Sequence, residues 1–412
     1  MGTAQDIPPL TSPEFEADPY RVYRALRDRD RLSYDEATGS YLLSRYDECA
    51  AAFRDPRFTS RNYEWQLEPV HGRTILQMDG TEHARRRALL NPFFRGDGLR
   101  SWTPYMRALA RTLTDELVER HARHGLAAVA EHPPFDLVSG FSQRYPIDVI
   151  AEMLGLPKER HADLRRWYLS VVAFLSNLSG DPEVHANGLR TRAELEAYVY
   201  PLIAERRRGT GRDLISLLAQ SEVDGQPLPD HEVKAFVSLL LTAGGETTDK
   251  AFASAVRNLL THPAEAAKVR ADLDLVPAVI AETLRYSPPT HMTMREVSED
   301  VVVRDTRIPK GARVIILNGS ANRDERRFAE PDRFVVGRPD VDVRTAFSAA
   351  ADHVAFGGGR HFCVGAQLAR TELDIGLRTL LTRYPGLRLA DGHVPREVGT
   401  KTRGLRELLV VA

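Results

Sequence analysis

Cysteine is nearly absent: the 412 residues hold two, Cys49 and Cys363. A disulfide framework is thereby excluded, and a four-cysteine zinc site is impossible. Long apolar runs are missing as well. No stretch approaches the roughly 18–20 apolar residues that span a bilayer. Runs such as Val314-Ile315-Ile316-Leu317 have the length of buried strands instead. Net charge is lacking too, with 56 Lys+Arg against 57 Asp+Glu and a formal charge of −1. That excludes a global basic field for nucleic acid, although not a local basic patch. Between Met1 and Thr11 no basic segment precedes an apolar run, so no secretory signal is expected. The expectation is a cytoplasmic protein with neither a membrane nor a nucleic-acid partner.

What is present is a globular composition, 42% hydrophobic and 27% charged, which excludes general disorder. The length suffices for a large core. Helical spacing of apolar residues predicts helices over 18–28, 46–54, 83–90, 98–123, 145–153, 158–178, 187–207, 213–220, 230–262, 276–286 and 364–384. Strand signals are few: 40–44, 301–303, 313–317 and 407–411. Residues 61–80 show no period and hold Tyr63, Trp65 and Met78, which predicts a long loop of the kind that often serves function. No internal repeat or linker is visible. The fold class is mainly α with a small β part, in one domain over 1–412.

The most informative stretch runs from His353 to Gly365. Gly357-Gly358-Gly359 permits a tight turn and a close backbone approach. Cys363 stands just before a predicted helix, whose free amides favour a thiolate. A thiolate so placed is a metal or haem-iron ligand, or a nucleophile. A lone Cys-x-Gly would be a buried structural cysteine, but the glycine run, Phe356 and His361 favour a site. Cys49 fits no motif and is assigned to the core.

In the long helix, Leu241-Thr242-Ala243-Gly244-Gly245-Glu246-Thr247-Thr248 places two glycines mid-helix, at a cost of roughly 1 kcal/mol each. Either a close helix crossing or the approach of something large and flat would explain them. Glu282 and Arg285 are three apart on one helix face, the spacing of a surface ion pair. His83 and Arg87 share a face at i and i+4, within a basic run that solvent alone would satisfy.

Phe356, Gly357, Gly359, His361, Cys363 and Gly365 together resemble the haem-thiolate signature of bacterial cytochromes P450. The stretch Ala243 to Thr248 resembles that family's oxygen-activation motif, and the motifs occur in family order from the His83 helix onward. The resemblance implies the cytochrome P450 fold, with Cys363 as the axial ligand of haem b and Phe356, Gly357 and Ala243 beside the haem. Thr247 would hydrogen-bond the activated oxygen and Glu246 would relay protons. His83, Arg87, Arg295 and His361 would serve the propionates. Glu282, Arg285 and Arg333 would form a buried ion network needed for haem incorporation. Departures from the family pattern are Glu325, Val335 and Gly245, the last suggesting a roomier distal pocket.

Substrate contacts implied by the resemblance are Trp65, Leu76, Leu239, Thr290, Met292 and Thr402, with the 171–175 region and Ala243 nearby. His291 reads as an exposed loop histidine, with a polar anchor or a distal ligand as the alternatives. Electrons would come from a separate ferredoxin and ferredoxin reductase, docking near Arg360, Arg95 and Arg100. The expected activity is a monooxygenase that uses O2 to hydroxylate or epoxidise a secondary-metabolite-type small molecule. Oxidative aromatic coupling, for example on a cyclic peptide, is the alternative. A non-catalytic haem sensor is disfavoured by intact Glu246 and Thr247, and a cysteine hydrolase by the haem motif.

Overall fold

The computed structural model describes residues 7–123, 134–177 and 180–412. Met1–Asp6, part of the signal-peptide argument, and Leu178, expected at a helix end, lie outside these residues. Two compact units emerge, each woven from three chain segments: Met1–Asn62, Ala253–Cys363 and Val394–Arg406 in the first, and Tyr63–Phe252, Val364–His393 and Glu407–Ala412 in the second. Among the described residues no helix is long and apolar enough to cross a membrane.

The first unit is built on a five-stranded sheet in the order Ser33–Asp35, Ser40–Leu43, Arg313–Leu317, Met292–Val297, Phe58–Thr59. Strand side chains alternate between faces, and here both faces are covered. Val314 and Ile316 join a cluster with Leu43, Cys49, Phe53 and Val354. Ile315 and Leu317 join the opposite cluster with Leu10, Phe15, Tyr23 and Met292. Two-sided burial is why this strand reads as an unbroken apolar run. Cys49 is a core residue whose thiol donates to the Leu43 carbonyl at 3.3 Å.

Met292–Val297 is a strand that is not among the four expected from the sequence. Its alternation is masked by Thr293, Arg295 and Glu296. Consequently Met292, assigned to substrate, packs into the sheet core instead. His291 is buried, with Nδ1 3.1 Å from the Tyr23 hydroxyl, and is not an exposed loop residue. Burial, reinforced by the charges of Arg403 and Arg323, holds its imidazole well below the usual histidine range.

The second unit is helical, with a small sheet ordered Arg388–Leu389, Leu409–Val411, Phe135–Asp136. Its longest element, Asp230–Thr261, continues into the first unit after Phe252. The Gly244 and Gly245 positions press on the neighbouring helices: an added Cβ would lie 3.3 Å from Ile150 and 3.2 Å from Ile147 and Tyr168. The glycine pair thus permits a close helix crossing. Gly245 points at Ile147 and Tyr168 and does not widen the face of Ala243 and Thr247, contrary to the expectation of a roomier pocket.

The expected 61–80 loop contains a helix, Tyr63–His71. Its buried positions, Gln66, Leu67, Val70 and His71, have helical spacing, but two of the four are polar, so apolar periodicity does not reveal them. The expected 98–123 helix is two, Gly96–Ser101 and Thr103–Arg123.

Candidate active site

Each unit carries one set of candidate residues. In the first, the chain from Phe356 to Cys363 folds back on itself: the Cys363 amide donates to the Phe356 carbonyl at 3.1 Å. Gly357 and Gly359 have φ of 67° and 60°, which L side chains rarely adopt. At Gly359 a Cβ would also collide with the Phe53 carbonyl. The glycines therefore let the loop turn and lie flat on the end of the helix Tyr46–Arg54. Phe356 is fixed between Phe347 and Phe362, with ring centroids 5.5 and 6.1 Å away. Cys363 is left exposed, just ahead of the helix Ala366–Arg383, and forms no disulfide. An exposed sulfur a few residues ahead of a helix in the chain fits a soft metal ligand, the donor a haem iron takes from a protein.

His361 ends a short 3-10 turn, Gly359–His361, and is half-buried. Arg295 is buried, its guanidinium 5.7 Å from the Phe53 ring and donating to the Met294 carbonyl at 2.8 Å. Arg295 and the glycine loop thus pack on the same phenylalanine. Thr290 bridges to Thr402, and the Lys401 carbonyl accepts the His291 amide at 2.9 Å. Arg360 is exposed and donates to the Pro56 carbonyl at 3.0 Å.

The Glu282–Arg285 pair is fully buried, not a surface pair. Arg285 grips both carboxylate oxygens at 2.7 Å. Its remaining donors meet the carbonyls of Asn322, Pro331 and Arg333 at 3.1, 2.8 and 3.0 Å. Arg333 is a correction: its side chain is 66% exposed and pairs with Glu330, and it gives the network only its carbonyl. Arg338 supplies the second guanidinium, donating to Glu282 at 3.2 Å and pairing with Asp340. Gly337, at φ 75°, turns the chain so that Arg338 re-enters while Arg333 faces solvent. The Gly337-Arg338 step, which the motifs named above do not include, is the sequence signal that could have found it. Of the departures, Glu325 accepts from the buried Arg27 at 2.9 Å, and the Val335 amide caps Glu282 at 2.9 Å.

In the second unit, the long helix is buried along most of its middle, yet Ala243 is exposed and Thr247 partly so. These positions are one turn apart, and the Thr247 hydroxyl donates to the Ala243 carbonyl at 3.1 Å. An open face of small and hydroxylic residues on an otherwise packed helix fits a large flat group lying against it. Glu246 pairs with Lys250 one turn on. His83 is buried and Arg87 half-buried on the helix Gly80–Ala88. Arg85 and Arg86 are taken up by Asp224 and Glu232, so the basic run is not a uniform solvated face. Trp65 is 56% exposed, Leu76 half-buried and Leu239 buried. Arg95 is exposed, and Arg100 is paired with Asp97.

Comparison with known proteins follows the same lines. The family model described as Cytochrome P450 matches residues 34–386. Pulcherriminic acid synthase of Bacillus subtilis is 37% identical over 403 residues, covering 97% of this chain and 96% of that one. Cyclomarin C epoxidase CymV of Salinispora arenicola is 33% identical, covering 93% and 92%. The solved structure of cytochrome P450 CYP109Q5 from Chondromyces apiculatus superposes with a TM-score of 0.84 at 32% identity, covering 98% of each chain.

Proposed function

The chain belongs to the cytochrome P450 family of monooxygenases, and from that premise we propose that it hydroxylates or epoxidises a secondary-metabolite-type small molecule. Electrons would come from a separate ferredoxin and its reductase, and the prosthetic group would be haem b. The three-segment weave of each unit supports treating 1–412 as one functional domain. The observation that carries the reading is the loop that presents the Cys363 sulfur, exposed and backed by the Phe356 carbonyl clasp.

In this reading Cys363 holds the iron, and His83, Arg87, Arg295 and His361 hold the propionates through charge-assisted hydrogen bonds. When bound, haem supplies the activation of dioxygen, helped by the electron-rich thiolate. The chain's own task is to exclude water and deliver protons. Thr247 holds a proton at Oγ1 on the open helix face, and Glu246 relays protons towards it. Trp65, Leu76, Leu239, Thr290 and Thr402 would shape the substrate pocket. The epoxidase among the relatives supports oxygen insertion as the outcome.

The test is optical. The reduced carbon monoxide complex should give a thiolate-type Soret band, and C363H should lose it while retaining haem. Titration with a panel of natural-product scaffolds should then give a saturable Soret shift. A wild-type spectrum lacking the thiolate signature would overturn the assignment of Cys363.

A further inference from the structure

Beyond Glu246, the long helix carries a second acid for which the proposed function has no use. Asp249 is buried, and the Ser142 hydroxyl donates to its Oδ1 at 2.6 Å. Ser142 closes a π-helical turn, Val138–Ser142, that runs against this part of the helix. A buried carboxylate would ordinarily be paired with an arginine or lysine of its own. Lys250, whose charge acts on Asp249, is already committed to Glu246.

The groups facing Asp249 come from three elements besides the Ser142 turn. Glu246 and Lys250 are on its own helix, and Asp136 is on the strand Phe135–Asp136. Tyr168, on the helix His161–Leu175, is buried and feels both Asp249 and Glu246. Glu372, on the helix Ala366–Arg383, is buried beside the preceding residue, Thr248, and is no partner of Asp249. Burial is the dominant influence and pushes the Asp249 carboxyl up to about 7. The Ser142 hydrogen bond and Lys250 draw it down, while Glu246 and Asp136 push it further up.

We propose that Asp249 is an internal proton store for Glu246, holding one proton in the resting protein and passing it along the helix face to the lysine-paired Glu246 carboxylate, which hands it on. This rests on the reading of Glu246 as a proton relay. In the transfer an O–H bond at Asp249 breaks and one at Glu246 forms. No electrons move, and the negative charge passes from Glu246 to Asp249. The cation need not move, because Lys250 neighbours both carboxyls, and Ser142 is already placed to donate to the new carboxylate. Solvent protons reload Asp249. It is a positioning residue, since it acts through Glu246. A structural role alone would not need an acid: asparagine accepts the Ser142 hydrogen bond equally well.

The test uses the full-length ferric holoprotein, its D249N, S142A and E246Q variants, and a plant-type ferredoxin with its reductase as electron donor. The first measurement is infrared. A buried carboxylic C=O band should bleach across neutral pH in the wild type and be missing in D249N. In S142A its midpoint should move to higher pH, because the donor that stabilises the carboxylate is gone. The second is oxygen consumption without added substrate. D249N should slow it roughly threefold or more, raise the solvent deuterium isotope effect, and flatten its pH profile around neutrality.

If no band titrates, or if D249N keeps the wild-type profile and isotope effect while E246Q is slowed, the store is overturned and the Glu246 relay stands. If E246Q is itself unaffected, the relay falls and the store with it. Should D249N fail to take up haem, S142A decides, and an unchanged midpoint there overturns the proposal.

Discussion

Arg338 donates to the Glu282 carboxylate at 3.2 Å from a site that is 5% exposed, while Arg333, five residues earlier, points into solvent towards Glu330. The distinction predicts opposite results for two similar substitutions. R338A leaves a buried carboxylate with one guanidinium instead of two, and such a loss costs about 3–5 kcal/mol. R333A removes an exposed pair and should change stability by less than about 1 kcal/mol. Chemical denaturation of both variants, with the haem-to-protein absorbance ratio as a second readout, checks the assignment. Equal losses in the two would put Arg333 back in the network.

Gly359 combines a positive φ with a Cβ position that runs into the Phe53 carbonyl. G359A should therefore cost about 1–3 kcal/mol and displace the loop that carries Cys363. At Gly358 the φ is extended and an added Cβ would meet the Phe53 side chain at 3.0 Å, where a small adjustment relieves it. G358A should be the milder variant in thermal denaturation and in the shape of the reduced carbon monoxide spectrum. A G358A as damaging as G359A would contradict the backbone argument.

Thr247 keeps its hydroxyl by the open face of the long helix through its bond to the Ala243 carbonyl. T247V preserves shape and removes the proton. With any substrate found by the Soret titration, product per electron should fall several-fold while peroxide release rises, because proton delivery contributes about 10²–10⁴ in rate where it operates. T247S should restore most of the coupling. Unchanged product yield in T247V would remove Thr247 from proton delivery.

Much of this molecule was legible beforehand where one physical cause governs a segment. The strand Arg313–Leu317 is buried on both faces, and the helix Tyr46–Arg54 has a clear apolar stripe, so both were predicted to the residue or nearly so. Legibility failed where polar side chains occupy buried positions. Gln66 and His71 hide the helix Tyr63–His71, and Thr293 and Arg295 hide the strand Met292–Val297. His291 was misjudged because its burial depends on Tyr20 and Tyr23, far away in sequence. In the candidate site, the motifs name Cys363 and Thr247 as candidates. They name Arg333 and pass over Arg338, because only the turn at Gly337 decides which one reaches Glu282.

Two buried groups should give the protein opposing pH dependences. His353 is buried, its Nε2 has no hydrogen-bond partner among the described residues, and burial holds its imidazole down at about 4. Between the unfolded value of about 6.5 and about 4, the unfolded chain binds a proton that the native protein excludes. Stability is therefore lost as pH falls through this window, by at most about 3 kcal/mol from this group. Asp249 has the opposite sign. Its carboxyl is raised from the ordinary value to about 7, so the native protein holds a proton that the unfolded chain has released, and stability falls as pH rises from about 4 to about 7. The two slopes partly cancel in the wild type and separate on substitution. H353Q should resist acid better than wild type, and D249N should gain on wild type as pH rises through the same interval. Urea midpoints for the three proteins at mildly acidic and neutral pH check this, and parallel profiles for all three would show that neither group is buried in the protonation state assigned here.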